Sequence, residues 1–201
     1  MNGDPAVDYD TAHRELRADP TLGPVVARNG RIDLEPADDF FVRVCRSVVR
    51  QQISMRAADA IFDRLQATVP LSPAEMKTID EAILLDTGLS RAKATTLVAL
   101  ATQWENQDWD RSWFATLDND EVTDALTDVK GIGPWTAKMA LLFGLGRPDI
   151  WPVEDLGIRR GMDRLFEEDL TRAQMRDRAK AWRPYRSIAA LHLWQIEDSN
   201  G

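Results

Sequence analysis

The turn Gly131-Ile132-Gly133 is the stretch of the sequence whose residue types are best suited to holding a ligand. It joins two apolar helical patterns, and Pro134 follows it at the first position of the second pattern. Glycine permits a positive φ and leaves the backbone uncovered, and the first turn of a helix carries N–H groups without intrahelical partners. With the positive end of the helix dipole they form an anion site that a DNA phosphate fits. For Gly-x-Gly alone, a helix–helix turn without a ligand is the alternative.

Two adjacent acids, Glu154 and Asp155, follow beyond the next helical pattern. Asp155 precedes the segment Leu-Gly-Ile-Arg-Arg, so it is a good helix N-cap, and most aspartates in such a position are only caps. A capping carboxylate can also carry chemistry, so both roles stay open on the residues alone.

Composition limits the classes of site that the chain can build. The 201 residues include one cysteine, Cys45, and two histidines, His13 and His192. A disulfide framework, a cysteine-rich zinc site and a four-cysteine iron–sulfur cluster are therefore excluded within one chain. Two histidines are too few for a convincing histidine-based metal site. No run of 18 apolar residues and no secretory signal is present, so we expect an intracellular protein of the cytoplasm or nucleoid, without a membrane partner.

The net charge of −8 argues against a nucleic-acid partner, because phosphate binding favours a basic footprint. However, only five of the 25 basic residues are Lys, and Asp outnumbers Glu. This pattern is typical of a halophilic protein, kept soluble in strong salt, where charges are screened within about 3 Å at 1 M. A negative charge then costs little in DNA binding if local contacts survive. An ordinary acidic protein with other partners is the alternative.

Helical periodicity dominates the rest of the sequence. Apolar residues recur at helical spacing from Phe40 to Val48, with Asp38 or Asp39 as the N-cap. Similar patterns follow Ser54 and Ser90, flank the Gly-x-Gly turn, and run through residues 156–166, 171–182 and 185–194; only residues 30–34 are weakly extended. We expect an all-α fold of about eight to ten helices. It would form a single domain, residues 1–201, with lobes of approximately 40–145 and 1–39 plus 146–201 around an active-site cleft.

Several segments together resemble the 3-methyladenine DNA glycosylase II family. "LTDVKGIGPWTA" is similar to the helix-hairpin-helix of that glycosylase superfamily, and "DIWPVEDLGIRRG" to the Gly/Pro-rich loop and aspartate that follow it. "SVVRQQISMRAADAIFDRL", "TGLSRAKATTLVALA" and "AWRPYRSIAALHLW" resemble three further blocks, all in family order over residues of about 20 to 195. The resemblance implies the helix-hairpin-helix glycosylase fold, in a short form without an N-terminal β-domain.

The resemblance also implies an activity. The catalytic aspartate of the family matches Asp155, and Glu154 is its neighbour. The expected enzyme is a base excision repair glycosylase that acts as a monomer on double-stranded DNA with a damaged base and releases 3-methyladenine or 7-methylguanine. Bifunctional relatives carry a nucleophilic Lys where this chain has Trp135, and Lys138 lies further on, so lyase activity is not expected. No cofactor is implied beyond a monovalent cation at the hairpin carbonyls.

The family's DNA and base contacts carry over by position. Gly131, Ile132, Gly133 and Thr136 match the phosphate-binding hairpin. Trp135 and Trp194 match aromatic pocket positions, whereas Met139 and Leu156 stand where a well-known relative has tyrosines. The intercalating loop matches Gln51 and Gln52, and an apolar wedge of one relative falls at Gln52. The further phosphate or sugar contacts expected are Arg50, Arg56, Arg91, Lys93 and Arg186.

Three other functions stay open at this point. A glycosylase for neutral lesions such as hypoxanthine, or for mismatched bases, would use the same residues. A non-enzymatic helix-hairpin-helix DNA-binding module would leave Asp155 only as a cap. An acidic helical scaffold that binds protein would leave Gly131 and Gly133 without a role.

Overall fold

Helices account for nearly all the regular structure in a computed structural model that describes residues 8–198. Within that range the helices are α1 Tyr9–Ala18, α2 Gly23–Asn29, α3 Phe40–Arg50, α4 Met55–Thr68, α5 Pro73–Met76, α6 Glu81–Asp86, α7 Arg91–Asn106, α8 Arg111–Thr116, α9 Asn119–Thr127, α10 Pro134–Phe143, α11 Leu156–Phe166, α12 Arg172–Arg178, a 3₁₀ helix Ala179–Trp182 and α13 Arg186–Asp198. No strand forms in the described range, which confirms the all-α prediction. The helices outnumber the eight to ten expected because α5, α6 and α8 have only four to six residues. Such short segments show no amphipathic period.

The described chain divides into two compact units. The first unit spans Ala37–Leu145, and the second combines residues 8–36 with residues 146–198.

In the first unit, α3 is the helix with the most buried face. The helix packs against α4, α7 and α10, and its buried apolar residues are Phe40, Phe41, Val44, Cys45, Val48 and Val49. Asp39 accepts a hydrogen bond from the N–H of Val42 at 3.0 Å, so the predicted cap is confirmed. Cys45 lies in this core, where burial raises the pKa of its thiol. The only cysteine of the chain therefore has a packing role.

In the second unit, α11 and α13 pack closely against each other. A Cβ at Gly161 of α11 would lie 2.9 Å from the carbonyl oxygen of Leu193 in α13, so the close approach requires glycine. Residues 30–34 form no strand. Side chains of α1 hold them instead: His13 Nε2 accepts from the N–H of Ile32 at 3.0 Å, and the hydroxyl of Tyr9 donates to Leu34 O at 2.5 Å.

Candidate functional site

The hairpin between α9 and α10 depends on Gly131 for two separate reasons. Its φ is +93°, in the left-handed region that favours glycine. A Cβ would also lie 2.0 Å from Thr96 Oγ1 on α7. Gly133 makes no use of that conformational freedom. It begins α10 with an ordinary φ of −110°, and a Cβ there would meet nothing within 4 Å. Open space in front of Gly133 leaves room for a ligand.

Backbone N–H groups at this hairpin lack protein partners. Within residues 8–198 no group accepts a hydrogen bond from the N–H of Gly131, Gly133 or Thr136, and no side chain caps α10. Ile132 differs, because its N–H donates to Val129 O at 3.0 Å and its side chain is buried. Three N–H groups at the positive end of a helix are suited to an anion. Ile132, which matches a phosphate contact of the family, therefore has no unused backbone N–H group for a phosphate.

The side chain of Thr136 faces the interior of the first unit. It is 1% exposed, and its Oγ1 accepts from Nε2 of Gln51 at 2.9 Å. A phosphate would therefore meet the N–H of Thr136 and not its hydroxyl. The same Nε2 donates to Gly131 O at 3.0 Å. Sequence reasoning matched Gln51 to the intercalating loop and missed this bridge.

The loop after α3 presents its next residues outward. Gln52 is exposed and has a φ of +57°, which is uncommon for a residue with a side chain. Ile53 is 38% exposed, and Met55 at the start of α4 is also exposed. The sequence carries a signal for these exposed apolar side chains, since Ile53 and Met55 interrupt an otherwise polar loop.

In the second unit, Oδ1 of the Asp155 carboxylate accepts two hydrogen bonds. Oδ1 accepts from the N–H of Ile158 at 3.0 Å, which caps α11 as predicted. The same Oδ1 accepts from the indole Nε1 of Trp194 at 2.9 Å. The neighbouring Glu154 lies 3.6 Å from Arg176 Nη2, measured from its Oε1.

Gly157 makes room for the bond between Trp194 and Asp155. A Cβ at this position would lie 2.8 Å from Cδ1 of the Trp194 indole and 3.1 Å from Asp155 Oδ1. The glycine one residue after Leu156 therefore allows the indole to reach the carboxylate. Leu156 itself is 50% exposed, although it is apolar.

The four matched pocket positions differ in accessibility. Trp135 in the first unit and Trp194 in the second are partly exposed, and Leu156 is exposed. Met139 is buried in the core of the first unit, so little of its side chain is available to a ligand.

Most of the matched cations have partners inside the protein. Arg186 forms an ion pair with Asp149, Nε to Oδ1 at 2.5 Å, and Arg91 Nε lies 3.3 Å from Glu81 Oε1. Lys93 Nζ donates to Val49 O at 2.7 Å, and burial lowers its pKa. Arg50 and Arg56 form no ion pair within the described residues. They are the matched cations best placed to meet a phosphate.

No helix in the described range is long and apolar enough to cross a membrane. Residues 8–198 also contain no group of three or more His, Cys, Asp or Glu side chains that could hold a metal ion.

The monovalent cation at the hairpin stays a prediction, and two of the hairpin carbonyls already accept hydrogen bonds from the protein. Gly131 O accepts from Gln51, and Val129 O accepts from the N–H of Ile132.

Comparison with known proteins decides the family. The model described as HhH-GPD superfamily base excision DNA repair protein matches residues 45–185. The chain belongs to this superfamily. DNA-3-methyladenine glycosylase of Saccharomyces cerevisiae is 29% identical over 92% of this chain and 78% of the relative. DNA-3-methyladenine glycosylase 1 of Schizosaccharomyces pombe is 31% identical over 77% of this chain and 71% of the relative.

A solved structure gives the same result for the fold. The 3-methyladenine DNA glycosylase of Schizosaccharomyces pombe, in complex with abasic DNA, superposes with a TM-score of 0.86 and 28% identity. The match covers 94% of this chain and 97% of that chain. The predicted helix-hairpin-helix glycosylase fold is confirmed.

Proposed function

We propose that this protein is a monofunctional DNA glycosylase that hydrolyses the N-glycosidic bond of alkylated purines in duplex DNA. The observation that carries the proposal is the carboxylate of Asp155, oriented by Ile158 and Trp194 in a chain of a base excision repair superfamily. Relatives named DNA-3-methyladenine glycosylase support 3-methyladenine as a substrate. 7-Methylguanine, which is also a cationic alkylpurine, is the second substrate expected. The protein acts inside the cell as a monomer.

The reaction needs a negative charge beside the sugar. When the bond between C1′ and the base breaks, the base takes the electron pair, and oxocarbenium character develops on the deoxyribose. Asp155 stabilises that charge and orients a water molecule, which adds to C1′ and loses a proton to the carboxylate or to solvent. An alkylated purine is already cationic and leaves as a neutral base. No strong general acid is then required.

The hydrogen bonds on Oδ1 of Asp155 restrain the direction of the carboxylate. An N-cap bond fixes it relative to α11, and the indole of Trp194 adds a second donor from α13. Preorganised groups of this kind need no reorganisation during the reaction. We assign to Trp194 a positioning role in addition to contact with the base.

A cationic base is best contacted by an indole face, and each unit offers one at a matched position, Trp135 in the first unit and Trp194 in the second. A cation over an indole face gains about 2 kcal/mol or more when it is desolvated. The exposed, apolar side chain of Leu156 adds no hydrogen-bond donor. Indole and apolar side chains favour charged alkylpurines over neutral lesions, which are recognised by hydrogen bonds to the edge of the base.

The first unit carries the groups that bind DNA. The N–H groups of Gly131, Gly133 and Thr136 bind a phosphate, and Gln52 and Ile53 fill the gap that an extruded nucleotide leaves. Strand cleavage is not part of the reaction. A Lys amine would form a Schiff base with the sugar, and Trp135 stands in that position.

The test is base release from three duplexes that carry methylated purines, hypoxanthine or a mismatch. Free bases are identified by chromatography, and strand integrity is followed before and after alkali. We expect 3-methyladenine and 7-methylguanine to be released and the strand to break only in alkali. Release of hypoxanthine or a mismatched base alone would favour the glycosylase for neutral lesions. DNA binding without any release would favour the non-enzymatic module.

A further inference from the structure

The carboxamide of Gln51 fastens the loop after α3 to the hairpin. Its Nε2 donates to Gly131 O at 3.0 Å and to Thr136 Oγ1 at 2.9 Å, so both of its hydrogens are used. Gly131 lies in the hairpin, and Thr136 lies in the first turn of α10. One side chain therefore contacts both sides of the turn whose N–H groups lack protein partners.

Helix α7 fastens the same two segments from another direction. Lys93 Nζ donates to Val49 O in the last turn of α3. One turn further along, Thr96 packs against Gly131 so closely that no Cβ would fit between them. The end of α3 and the hairpin thus share a common support.

The exposed tip of the loop follows directly after this anchor. Gln52 holds a left-handed backbone conformation that residues with side chains rarely adopt, and Ile53 is exposed beside it. The chain enters the tip from Gln51, whose side chain is fixed by two hydrogen bonds. The direction of the tip is consequently set relative to the hairpin.

We infer that Gln51 is a positioning residue that links phosphate capture by the hairpin to insertion of the tip, Gln52 and Ile53, into the gap left by an extruded base. The inference rests on the proposed function. Because the anchor joins the two segments, a phosphate bound at the hairpin holds the tip at a fixed offset from the damaged nucleotide. Without the anchor the tip must find its position after binding, at an entropic cost.

The test compares Gln51→Leu with the wild type on two duplexes. Leu is close to Gln in size and has no donors. One duplex is undamaged; the other carries a tetrahydrofuran abasic-site analogue opposite 2-aminopurine. Fluorescence anisotropy gives the affinity for each, and 2-aminopurine fluorescence at saturation reports insertion. We expect the variant to bind undamaged DNA within about twofold of wild type. Its preference for the abasic duplex falls about tenfold, as expected for two lost hydrogen bonds, and the fluorescence change is lost.

Two further variants sharpen the result. Thr136→Val removes one acceptor at constant shape, and combining it with Gln51→Leu should add less than the sum of the single effects, since both break the same bond. Gln66→Leu makes the same replacement on the exposed face of α4 and should change neither affinity nor fluorescence.

Two results would overturn the inference. Gln51→Leu and Thr136→Val could keep both the abasic preference and the fluorescence change, or Gln51→Leu could weaken both duplexes equally. If Gln51→Leu does not fold, Thr136→Val alone decides between these results and the expected one. Failure of the proposed function has a different signature, because the wild type would then release no base and show no preference for the abasic duplex.

Discussion

The indole Nε1 of Trp194 lies 2.9 Å from Oδ1 of Asp155, and Gly157 leaves the space that this bond requires. Trp194 is thereby tied to the carboxylate, and in the proposed function its ring also contacts the base. Its two roles can be separated by a substitution that keeps an aromatic ring and removes the N–H.

Trp194→Phe should lower the rate of base release while affinity for damaged DNA changes little. A hydrogen bond to a charged group contributes about 1.5–3 kcal/mol, and at a partly exposed site we expect the lower end, roughly a tenfold loss in kcat. Single-turnover release of 3-methyladenine measures the effect. Trp113→Phe makes the same replacement at a partly exposed tryptophan of the first unit and serves as the control. An unchanged rate in Trp194→Phe would show that the bond has no role in the reaction.

The two hairpin glycines should respond differently to Ala. Gly131→Ala places a Cβ against Thr96 in a backbone region that costs about 1–2 kcal/mol for an L-residue, and overpacking adds about 1–3 kcal/mol. Gly133→Ala has open space and an ordinary φ, so its stability should stay within about 0.5 kcal/mol of wild type. Its Cβ would nevertheless crowd a bound phosphate and weaken DNA binding. Chemical denaturation and a DNA titration measure the two effects, and equal destabilisation of both variants would contradict this account of the hairpin.

Stability should fall as the pH is lowered below about 6.5 because of His192. The side chain is fully buried in the second unit, and its Nε2 has no partner within the described residues. Burial lowers its pKa to about 4, with the nearby His13 and Arg17 acting in the same direction. The unfolded chain therefore binds a proton between pH 6.5 and 4 that the folded chain does not. The stabilisation present above pH 6.5 is lost toward pH 4, up to about 3 kcal/mol.

Denaturation from pH 7.5 to 4.5 measures that loss. His192→Leu removes the titrating group and should flatten the profile over this window, although Asn29 Nδ2, 3.4 Å from His192 Nδ1, loses a weak contact. An equally steep profile in the variant would assign the pH dependence to other groups.

DNA affinity should depend only weakly on salt. In the proposed complex, backbone N–H groups carry the phosphate contact at the hairpin, and Arg50 and Arg56 are the matched cations without ion pairs in the described part of the chain. With two cations at phosphates, the slope of log K against log[KCl] should be about −2. Titrations from 0.1 to about 1 M KCl measure this slope, and base release should persist at the highest concentration. A slope steeper than about −5 would point to many more cationic contacts and contradict the proposed backbone-based site.

Local features of the site were predictable from the sequence, whereas contacts distant in sequence were not. Asp155 before an apolar helical pattern predicted the N-cap of α11, because capping depends on neighbouring residues only. The bond from Gln51 to the hairpin joins residues 80 positions apart, and no local pattern encodes it. Thr136 was matched by position to a phosphate contact, but its hydroxyl faces inward, since a motif fixes the backbone of a turn and not the partner of each side chain.

Asp155→Asn tests whether the carboxylate of Asp155 is the group that drives base release. The carbonyl oxygen of Asn can still accept from Ile158 and Trp194, so the cap and the fold are kept while the negative charge is lost. Release of 3-methyladenine from methylated duplex DNA is compared at equal DNA occupancy with Glu154→Gln, which neutralises the adjacent acid. We expect a loss of about 10²–10³-fold, or about 2.7–4 kcal/mol, in Asp155→Asn and near wild-type release in Glu154→Gln. Wild-type release by Asp155→Asn, or an equal loss in both variants, would contradict the assignment of Asp155 as the catalytic carboxylate.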